Sequence, residues 1–264
     1  GFIFWIYYVY KVLVKKMKNI MLTLEYDGTN YSGWQIQENA NSIQAEVERA
    51  IYRLTKKEVT LIGAGRTDAK VHALGQVANF FIDTSIPGET FKYALNEYLP
   101  DDIKAVYSNE VPEDFHARFS AIKKRYRYKI YLSDVERPLL RNYAYQIDRN
   151  LDINLMKEAA KYLIGTHNFT SFEGRRSFTK SKVRTIHAID IQKRDEFVDI
   201  VVEGDSFLRN MVRIITGTLV EIGIEKRKPA EIKLILQAQD RRLSGHTAPP
   251  QGLYLEKVFY EIFK

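Results

Sequence analysis

The alternation of apolar and polar positions in the first half of the chain predicts strands and short amphipathic helices. Residues 20–26 alternate with the period of two that is typical of a half-buried strand. Asn41 or Ser42 precedes a helical segment and can cap it. Further strands are predicted over 58–62, over 76–82 and in the segment PDDIKAVYS, with a short helix over 91–98. The predicted apolar face of the first helix consists of Ile43, Val47, Ala50, Ile51 and Leu54.

The second half begins with a clear strand pattern over residues 125–132. Arg125, Arg127, Lys129 and Tyr131 are expected on one face, with apolar and aromatic side chains on the other. Strands and helices that mix without a regular βα alternation indicate an α+β fold with mainly antiparallel sheets. The other predicted elements are a helix over 155–163 that ends at Gly165, paired strands over 183–192 and 197–203, a long helix over 206–222, a helix with Pro229 at its first position and a closing strand over 253–260.

The composition indicates a globular protein and excludes several kinds of chemistry. A chain of 264 residues with 45% apolar residues is long enough for one large domain or two modest ones. The absence of cysteine excludes disulfides, thiolate metal sites and cysteine nucleophiles, and it fits a reducing compartment. A P-loop, an HExxH zinc motif and a GxSxG nucleophile elbow are also absent. The sequence therefore predicts chemistry that uses oxygen and nitrogen groups.

The net charge of +7, from 40 Lys and Arg against 33 Asp and Glu, is compatible with a polyanionic partner. Three of these cations and no acid lie in the first sixteen residues, GFIFWIYYVYKVLVKK, so the remainder carries +4. The apolar run of this leader is interrupted by Lys11 and is shorter than the roughly 20 residues that a membrane helix needs. Met17 resembles a natural start. We therefore expect residues 1–16 to be an upstream or non-native extension that adds an edge strand; the alternative is a membrane-surface or interaction segment.

The stretch LIGAGRTDAKVHALGQVANF, residues 61–80, places one carboxylate, Asp68, between Arg66 and Lys70 in a glycine-punctuated loop. A nearby cation holds a carboxylate ionised, as a nucleophile or a general base requires, so Asp68 is a candidate catalytic residue. An Asp that follows Thr in such a loop is more often a turn or capping residue. Spacing alone therefore leaves the structural interpretation ahead.

Two stretches interleave cations with aromatic rings, KKRYRYKIY at 123–131 and GRRSFTKSKVR at 174–184. This combination suits RNA, because cations neutralise phosphates while rings stack on unpaired bases. The alternative is a solvated strand face with tyrosines in the core. The alternation alone favours core positions for Tyr126 and Tyr128.

The segment SFLRNMVRIITGTLVEIG predicts a helix so apolar that it should be largely buried. Arg209 and Arg213 lie one predicted turn apart on it. Arginines in such a place are expected to pair with a buried carboxylate or a phosphate, or else to lie on a narrow polar stripe that faces water. The sequence leaves both interpretations open.

Six blocks, in the same order, closely resemble the TruA family of tRNA pseudouridine synthases and cover nearly everything after Met17. The blocks are YDGTNYSGWQIQ, GAGRTDAKVHALGQVANF, DFHARFSAIKKRYRYKIY, GTHNFTSF, FLRNMVRIITGTLVEIG and GLYLEKV. The resemblance implies two similar α+β halves, residues 17–115 and 116–264, that share a mainly antiparallel sheet with helices packed outside and a basic cleft between the halves. It also implies a cytoplasmic homodimer, without metal or organic cofactor, that converts uridine to pseudouridine at positions 38, 39 and 40 of the tRNA anticodon stem-loop.

The resemblance assigns roles to individual residues. Asp68 matches the catalytic aspartate, and Arg66 matches an arginine implicated in flipping the target base. Tyr126 matches the active-site tyrosine beside the flipped base, and Arg213 matches the arginine that pairs with the aspartate. Leu253 matches a leucine in the apolar wall of the base pocket.

Lys70 departs from the family pattern, which usually has glycine after RTDA. Its charge is expected to attract a substrate phosphate, and a lysine fits there if the backbone does not need a positive φ. Two other functions stay open: a synthase of the same family that acts on other tRNA uridines, and a non-catalytic tRNA-binding module. The intact Arg66, Asp68, Tyr126 and Arg213 argue against the binding module.

Overall fold

The computed structural model of the protein describes residues 17–175 and 179–261. Within these residues the chain forms ten strands and five α-helices. The strands are β1 (Lys18–Tyr26), β2 (Ile62–Gly63), β3 (His72–Ile82), β4 (Ile103–Val111), β5 (Ala121–Leu132), β6 (Tyr145–Ile147), β7 (Gly165–Asn168), β8 (Val183–Arg194), β9 (Phe197–Gly204) and β10 (Leu253–Tyr260). The helices are α1 (Ile43–Thr55), α2 (Phe91–Asn96), α3 (Ile153–Lys161), α4 (Met211–Gly223) and α5 (Glu231–Ala238).

All ten strands belong to one sheet, with the order β4-β1-β3-β10-β5-β9-β8-β7, while β2 pairs with β3 and β6 pairs with β5. Only the β3–β10 and β5–β6 pairs in the described part of the chain are parallel. Helix α4 contacts β5 and α3, α3 contacts β8, and α2 contacts β4. The predicted α+β fold with a mainly antiparallel sheet and outer helices is confirmed.

The closing strand β10 joins the early and late parts of the chain, because it lies between β3 and β5. Its contact with β3 is limited to two residue pairs, Tyr254 with His72 and Leu255 with Ala73. Further along β3, β2 pairs with Asn79 and Ala78. The sheet is therefore continuous across the predicted boundary at 115/116, and the division into two similar halves stays a prediction.

The cap and the buried face of helix α1 agree with the sequence pattern, because both depend on residues that are close in sequence. Ser42 accepts a hydrogen bond from the Ala45 amide, 3.3 Å, and so it is the capping residue. Ile43, Val47 and Ile51 are fully buried, as predicted. Each such burial stabilises the fold by about 1.5–3 kcal/mol.

Three predicted boundaries on the way to the site are wrong. The strand expected over 58–62 is reduced to β2, because the Leu61 amide and carbonyl bond to the side chains of Glu48 and Gln44 from α1. Strand β3 begins at His72 rather than at 76. Helix α4 begins at Met211 rather than at 206, because Asn210 has the left-handed φ of 59°.

Three smaller differences lie farther along the chain. Helix α3 spans Ile153–Lys161, so Leu163 lies in the following turn, where it is still buried. Pro229 precedes α5 by two residues instead of occupying its first position. Tyr131, expected on the cationic face of β5, is buried, and its hydroxyl accepts a hydrogen bond from the Arg137 amide.

Among the described residues, no helix has the length and apolar character needed to cross a membrane. The predicted extension over 1–16, with its edge strand, lies outside the described residues.

Candidate active site

The candidate catalytic residue Asp68 lies in the loop that leads from β2 to β3, residues 64–71. Backbone hydrogen bonds fix this loop at both ends. The Ala64 amide donates to the Val77 carbonyl, 2.8 Å, and the Trp34 amide donates to the Thr67 carbonyl, 3.1 Å. The Val71 amide donates to the carbonyl of Asp68 itself, 3.2 Å. The loop therefore holds the carboxylate on a defined backbone.

The segment after β1 and the end of β1 itself contact this loop at Thr67. Gly33 has a φ of 103°, and a Cβ added there would lie 2.6 Å from the Thr67 carbonyl oxygen. A side chain at this position is therefore excluded by both conformation and space. The buried Tyr26 hydroxyl hydrogen-bonds the Thr67 hydroxyl at 2.8 Å. These contacts fix the residue that immediately precedes Asp68.

Lys70 occupies a position that requires the left-handed conformation, with a φ of 64°. The sequence left a lysine acceptable only if the backbone did not need a positive φ, and the structure shows that it does. The Lys70 amide donates to the Tyr31 carbonyl, 3.2 Å, while its side chain is exposed. For a residue with a Cβ this conformation costs roughly 1–2 kcal/mol. Lys70 is thus tolerated at a cost in stability, and its charge faces solvent.

Arg213 reaches Asp68 from the first turn of α4, with 3.6 Å between Nη1 and Oδ2. The side chain of Arg213 is 15% exposed and that of Asp68 is 35% exposed. Arg213 Nε donates to the Ala248 carbonyl, 2.7 Å, and Nη1 donates to Asn210 Oδ1, 3.1 Å. The guanidinium is therefore held in one orientation toward the carboxylate.

Burial lowers the pKa of Arg213, and the negative charge of Asp68 raises it again. An arginine stays protonated at neutral pH whether its pKa is moderately lowered or raised. The pair thus combines a half-exposed carboxylate with a cation that is permanent and largely shielded from water. Such a cation stabilises the ionised form of its partner.

Tyr126 on β5 contributes an aromatic ring next to this pair. It is buried, and its ring meets Phe207 edge-on, with 5.2 Å between centroids and an angle of 85°. Burial raises the pKa of Tyr126, and the charges of Tyr26 and Asp68 raise it further. The hydroxyl is therefore protonated at neutral pH and lies within electrostatic reach of Asp68.

The apolar wall behind Tyr126 is built by β10. Leu255 lies directly opposite Tyr126, and Leu253 lies opposite Tyr128. Both leucines are buried. The predicted wall residue Leu253 is thus on the strand next to Tyr126, two residue pairs along from it, and its role stays a prediction.

The structure brings Asp68, Arg213 and Tyr126 together but not the cations that flank Asp68 in sequence. Arg66 is exposed and makes no hydrogen bond or ion pair within the described part of the chain. Lys70 makes no ion pair with Asp68 there either. Both of these side chains extend from the loop toward solvent, and the cation that contacts Asp68 is Arg213.

Arg209 and Arg213 do not share a helix face. Arg209 precedes α4 and is exposed, and its carbonyl accepts from the Gly174 amide, 2.8 Å. Of the two interpretations of an arginine on this apolar helix, Arg213 fits the first, because it pairs with a carboxylate. Of the second basic stretch, residues 176–178 lie outside the described residues.

Sequence reasoning missed the residues that position the pair. Tyr128 is fully buried, and its hydroxyl donates to the Pro249 carbonyl, 2.6 Å, next to the Ala248 that holds Arg213. Lys124 donates to the Ala64 carbonyl, 2.7 Å, and ties β5 to the start of the loop. Its only sequence feature is membership of the KKRYRYKIY stretch.

Other groupings offer weaker sites. No three His, Asp or Glu side chains of the described residues are arranged to hold a metal ion. A depression beside His72 is lined by four carboxylates against one lysine, which disfavours a polyanion. These carboxylates belong to Glu25, Asp27, Asp101 and Asp102.

Comparison with known proteins gives consistent matches. A family model described as tRNA pseudouridine synthase matches residues 23–120 and 159–261. The chain is 53% identical over 245 residues to tRNA pseudouridine synthase A 2 of Clostridium tetani, which covers 92% of this chain and 99% of that protein. It is 51% identical over 244 residues to tRNA pseudouridine synthase A of Acetivibrio thermocellus, which covers 92% of this chain and all of that protein.

Among solved structures, the chain is similar to one in the crystal structure of an archaeal box H/ACA sRNP complex. The TM-score is 0.38 at 12% identity, and the match covers 81% of this chain and 46% of that chain. The present chain thus spans about half of that one, and the likeness is too weak to add to the comparison.

Proposed function

Since the chain belongs to the family of tRNA pseudouridine synthases, we propose that it acts on the tRNA anticodon stem-loop, at positions 38, 39 and 40, with Asp68 as its catalytic residue. Enzymes of this family are isomerases that convert uridine in tRNA to pseudouridine. The observation that carries the proposal for Asp68 is the 3.6 Å pair with the largely buried Arg213, next to the Tyr126 ring.

The reaction is an isomerisation that needs no other reactant. The C1′–N1 bond of the uridine breaks, the detached uracil turns, and a C5–C1′ bond forms. C5 then loses its proton and N1 gains one, so that substrate and product contain the same atoms. The protein has to expose the sugar, react with it, hold the free base and transfer one proton.

An ionised Asp68 can start this sequence in two ways. It can attack C1′ as a nucleophile, or it can remove the proton from C2′ to give a glycal. Deuterium at C2′ separates the two routes, because only the glycal route breaks that bond and gives a primary isotope effect. In both routes Arg213 keeps the carboxylate charged when the bound RNA excludes water.

The target base must leave the stack to reach Asp68. Arg66 is exposed beside Asp68. We propose that its side chain fills the space that the flipped base leaves in the stack, or that it binds the phosphate of that nucleotide. The Tyr126 ring and the apolar wall with Leu253 receive the flipped base, and the protonated Tyr126 hydroxyl assists transfer of the C5 proton. Lys70, exposed on the same loop, attracts a phosphate of the substrate.

Asp68→Asn tests the catalytic assignment, because it removes the reacting oxygen and keeps the size of the side chain. We expect product to fall below detection on an unmodified tRNA transcript, while the dissociation constant for tRNA stays within about tenfold. Asp134→Asn, at an exposed aspartate outside the site, is the matched control and should turn over like the wild type. Undiminished product from Asp68→Asn would exclude Asp68 as the catalytic residue.

The substrate positions, the assembly and the location are parts of the same proposal. Mapping pseudouridine along the product tRNA separates positions 38–40 from other uridines. Light scattering of the purified protein tests the homodimer that the family resemblance implies. The cytoplasm is the expected compartment, because the substrate is tRNA.

A further inference from the structure

An exposed phenylalanine, Phe119, lies on the short turn between β4 and β5, at 76% exposure. The His116 ring lies beside it, with 4.3 Å between centroids. The guanidinium carbon of Arg118 lies 5.6 Å from the centre of the Phe119 ring. The ring thus has a histidine and a cation next to it, and most of its surface faces solvent.

The turn that carries Phe119 is rigidly held. The Ala117 amide donates to buried Asn79 Oδ1, 2.9 Å, and the Tyr260 hydroxyl donates to the Ala117 carbonyl, 2.6 Å. His116 Nδ1 accepts from the amides of Arg118 and Phe119, at 3.2 and 3.3 Å. A ring on a fixed backbone loses less conformational freedom when it binds a partner, so the position is preorganised.

The turn leads into β5, whose Lys124 contacts the start of the catalytic loop. Lys124 donates to the Ala64 carbonyl, two residues before Arg66. Burial, and after it the nearby positive charge of Arg118, lowers the pKa of Lys124 to about 8. Arg118 is therefore within electrostatic reach of the lysine that contacts the start of the loop.

The charge around the ring is positive and not neutralised. Arg118 forms no ion pair with any carboxylate of the described residues. The nearest acids in sequence, Glu113 and Asp114, are exposed on the preceding turn, and neither forms an ion pair with Arg118. A second copy that docked through this same face would bring the same cations to it, whereas a nucleic acid brings phosphates.

We propose that Phe119 stacks on an unpaired base of the tRNA next to the target uridine, while Arg118 neutralises a neighbouring phosphate. The inference rests on the proposed function for the identity of the RNA. An aromatic ring accepts any base on its face, so this contact fixes the position of the strand rather than its sequence.

Affinity for an unmodified tRNA transcript, together with kcat and KM, tests the stacking contact in four variants. Phe119→Ala and Phe119→Leu remove the ring, and Phe119→Tyr keeps it. Tyr93→Ala is the matched control, because Tyr93 is 66% exposed with Lys92 Nζ 5.0 Å from its ring centre. Both positions are on the surface, so thermal unfolding should be unchanged in all four variants.

We expect Phe119→Ala and Phe119→Leu to weaken tRNA binding about tenfold, mainly in KM, and Phe119→Tyr to stay within twofold of the wild type. Tyr93→Ala should also stay within twofold. Wild-type affinity in Phe119→Ala would overturn the inference. Full recovery in Phe119→Leu would also overturn it, because the contact would then be apolar without stacking.

Three further outcomes separate this inference from its premises. If Phe119→Ala changes the mass of the assembly in light scattering, the ring is a subunit contact and the inference fails. If the wild type binds tRNA through Phe119 but forms no pseudouridine, the proposed function fails and the RNA contact stands. If pseudouridine forms normally in Phe119→Ala with unchanged KM, the function stands and the inference fails.

Discussion

Replacement of Glu221 tests how the buried end of α4 holds the site in place. Glu221 is 6% exposed, and its Oε1 accepts from the His246 amide, 3.1 Å, and lies 3.2 Å from His246 Nδ1. Its Oε2 accepts from Arg227 Nε, 2.6 Å. His246 belongs to the segment whose Ala248 carbonyl accepts from Arg213. The carboxylate therefore anchors the segment that orients the partner of Asp68.

The magnitude follows from the pKa of Glu221. Burial by itself raises this pKa, but the hydrogen bonds from Arg227 and His246 outweigh it and lower the pKa from 4.5 to about 2. This difference corresponds to roughly 3 kcal/mol at neutral pH. Because Arg227 keeps access to solvent, we expect about 2–3 kcal/mol.

The sign of the pH dependence follows from the lowered pKa. The stabilisation is complete above the unfolded value near 4.5 and is lost as the pH falls through about 2. Glu221→Gln should therefore unfold at lower urea than the wild type at pH 7, by about 2–3 kcal/mol. The difference should shrink to about 1 kcal/mol at pH 3, because Glu221 of the unfolded chain is then largely protonated while that of the folded protein is still largely ionised.

Urea unfolding of wild type, Glu221→Gln and the exposed control Glu97→Gln at pH 7 and pH 3 measures this difference. The control should follow the wild type at both pH values, since Glu97 makes no ion pair within the described residues. The kcat of Glu221→Gln at pH 7 should also fall, because Arg213 loses support. A constant difference between pH 7 and pH 3 would refute the assignment of the low pKa to Glu221.

Three further variants test single contacts of the site. Lys70→Gly removes the strain of a left-handed residue with a Cβ, but it also gives the unfolded chain more conformational freedom. The melting temperature should therefore rise by up to about 4 °C, and a lower melting temperature would show that Lys70 is not strained. Arg213→Lys keeps the charge but loses the paired donors to Ala248 and Asn210, and single-turnover assays should show at least a tenfold slower reaction; a wild-type rate would mean that charge alone suffices. Tyr126→Phe should slow tritium release from tRNA labelled at uridine C5 and leave tRNA affinity within twofold; unchanged release would remove the hydroxyl from proton transfer.

Elements with a strong local pattern could be predicted from the sequence. β10 has the predicted bounds, and the face of α1 is buried as expected, because each depends on neighbouring residues. β2 could not be predicted, since Gln44 and Glu48 from α1 take the backbone groups that a longer strand would use. The start of α4 depended on the conformation of Asn210, which the apolar pattern does not encode.

The candidate site could be predicted only in part for the same reason. Spacing singled out Asp68 and Arg213 separately, but their pairing depends on the packing of α4 against a loop far away in the sequence. Family resemblance supplied that pairing. The cations adjacent to Asp68 in sequence form no ion pair with it within the described residues, because both side chains extend toward solvent.

The most direct test of the central claim is a pseudouridine map of an unmodified tRNA transcript after incubation with the purified protein, in parallel with Asp68→Asn. The proposed function predicts pseudouridine in the anticodon stem-loop, at positions 38–40, with wild type and none with Asp68→Asn. Equal pseudouridine from both proteins, or none from the wild type, would contradict the account of this site.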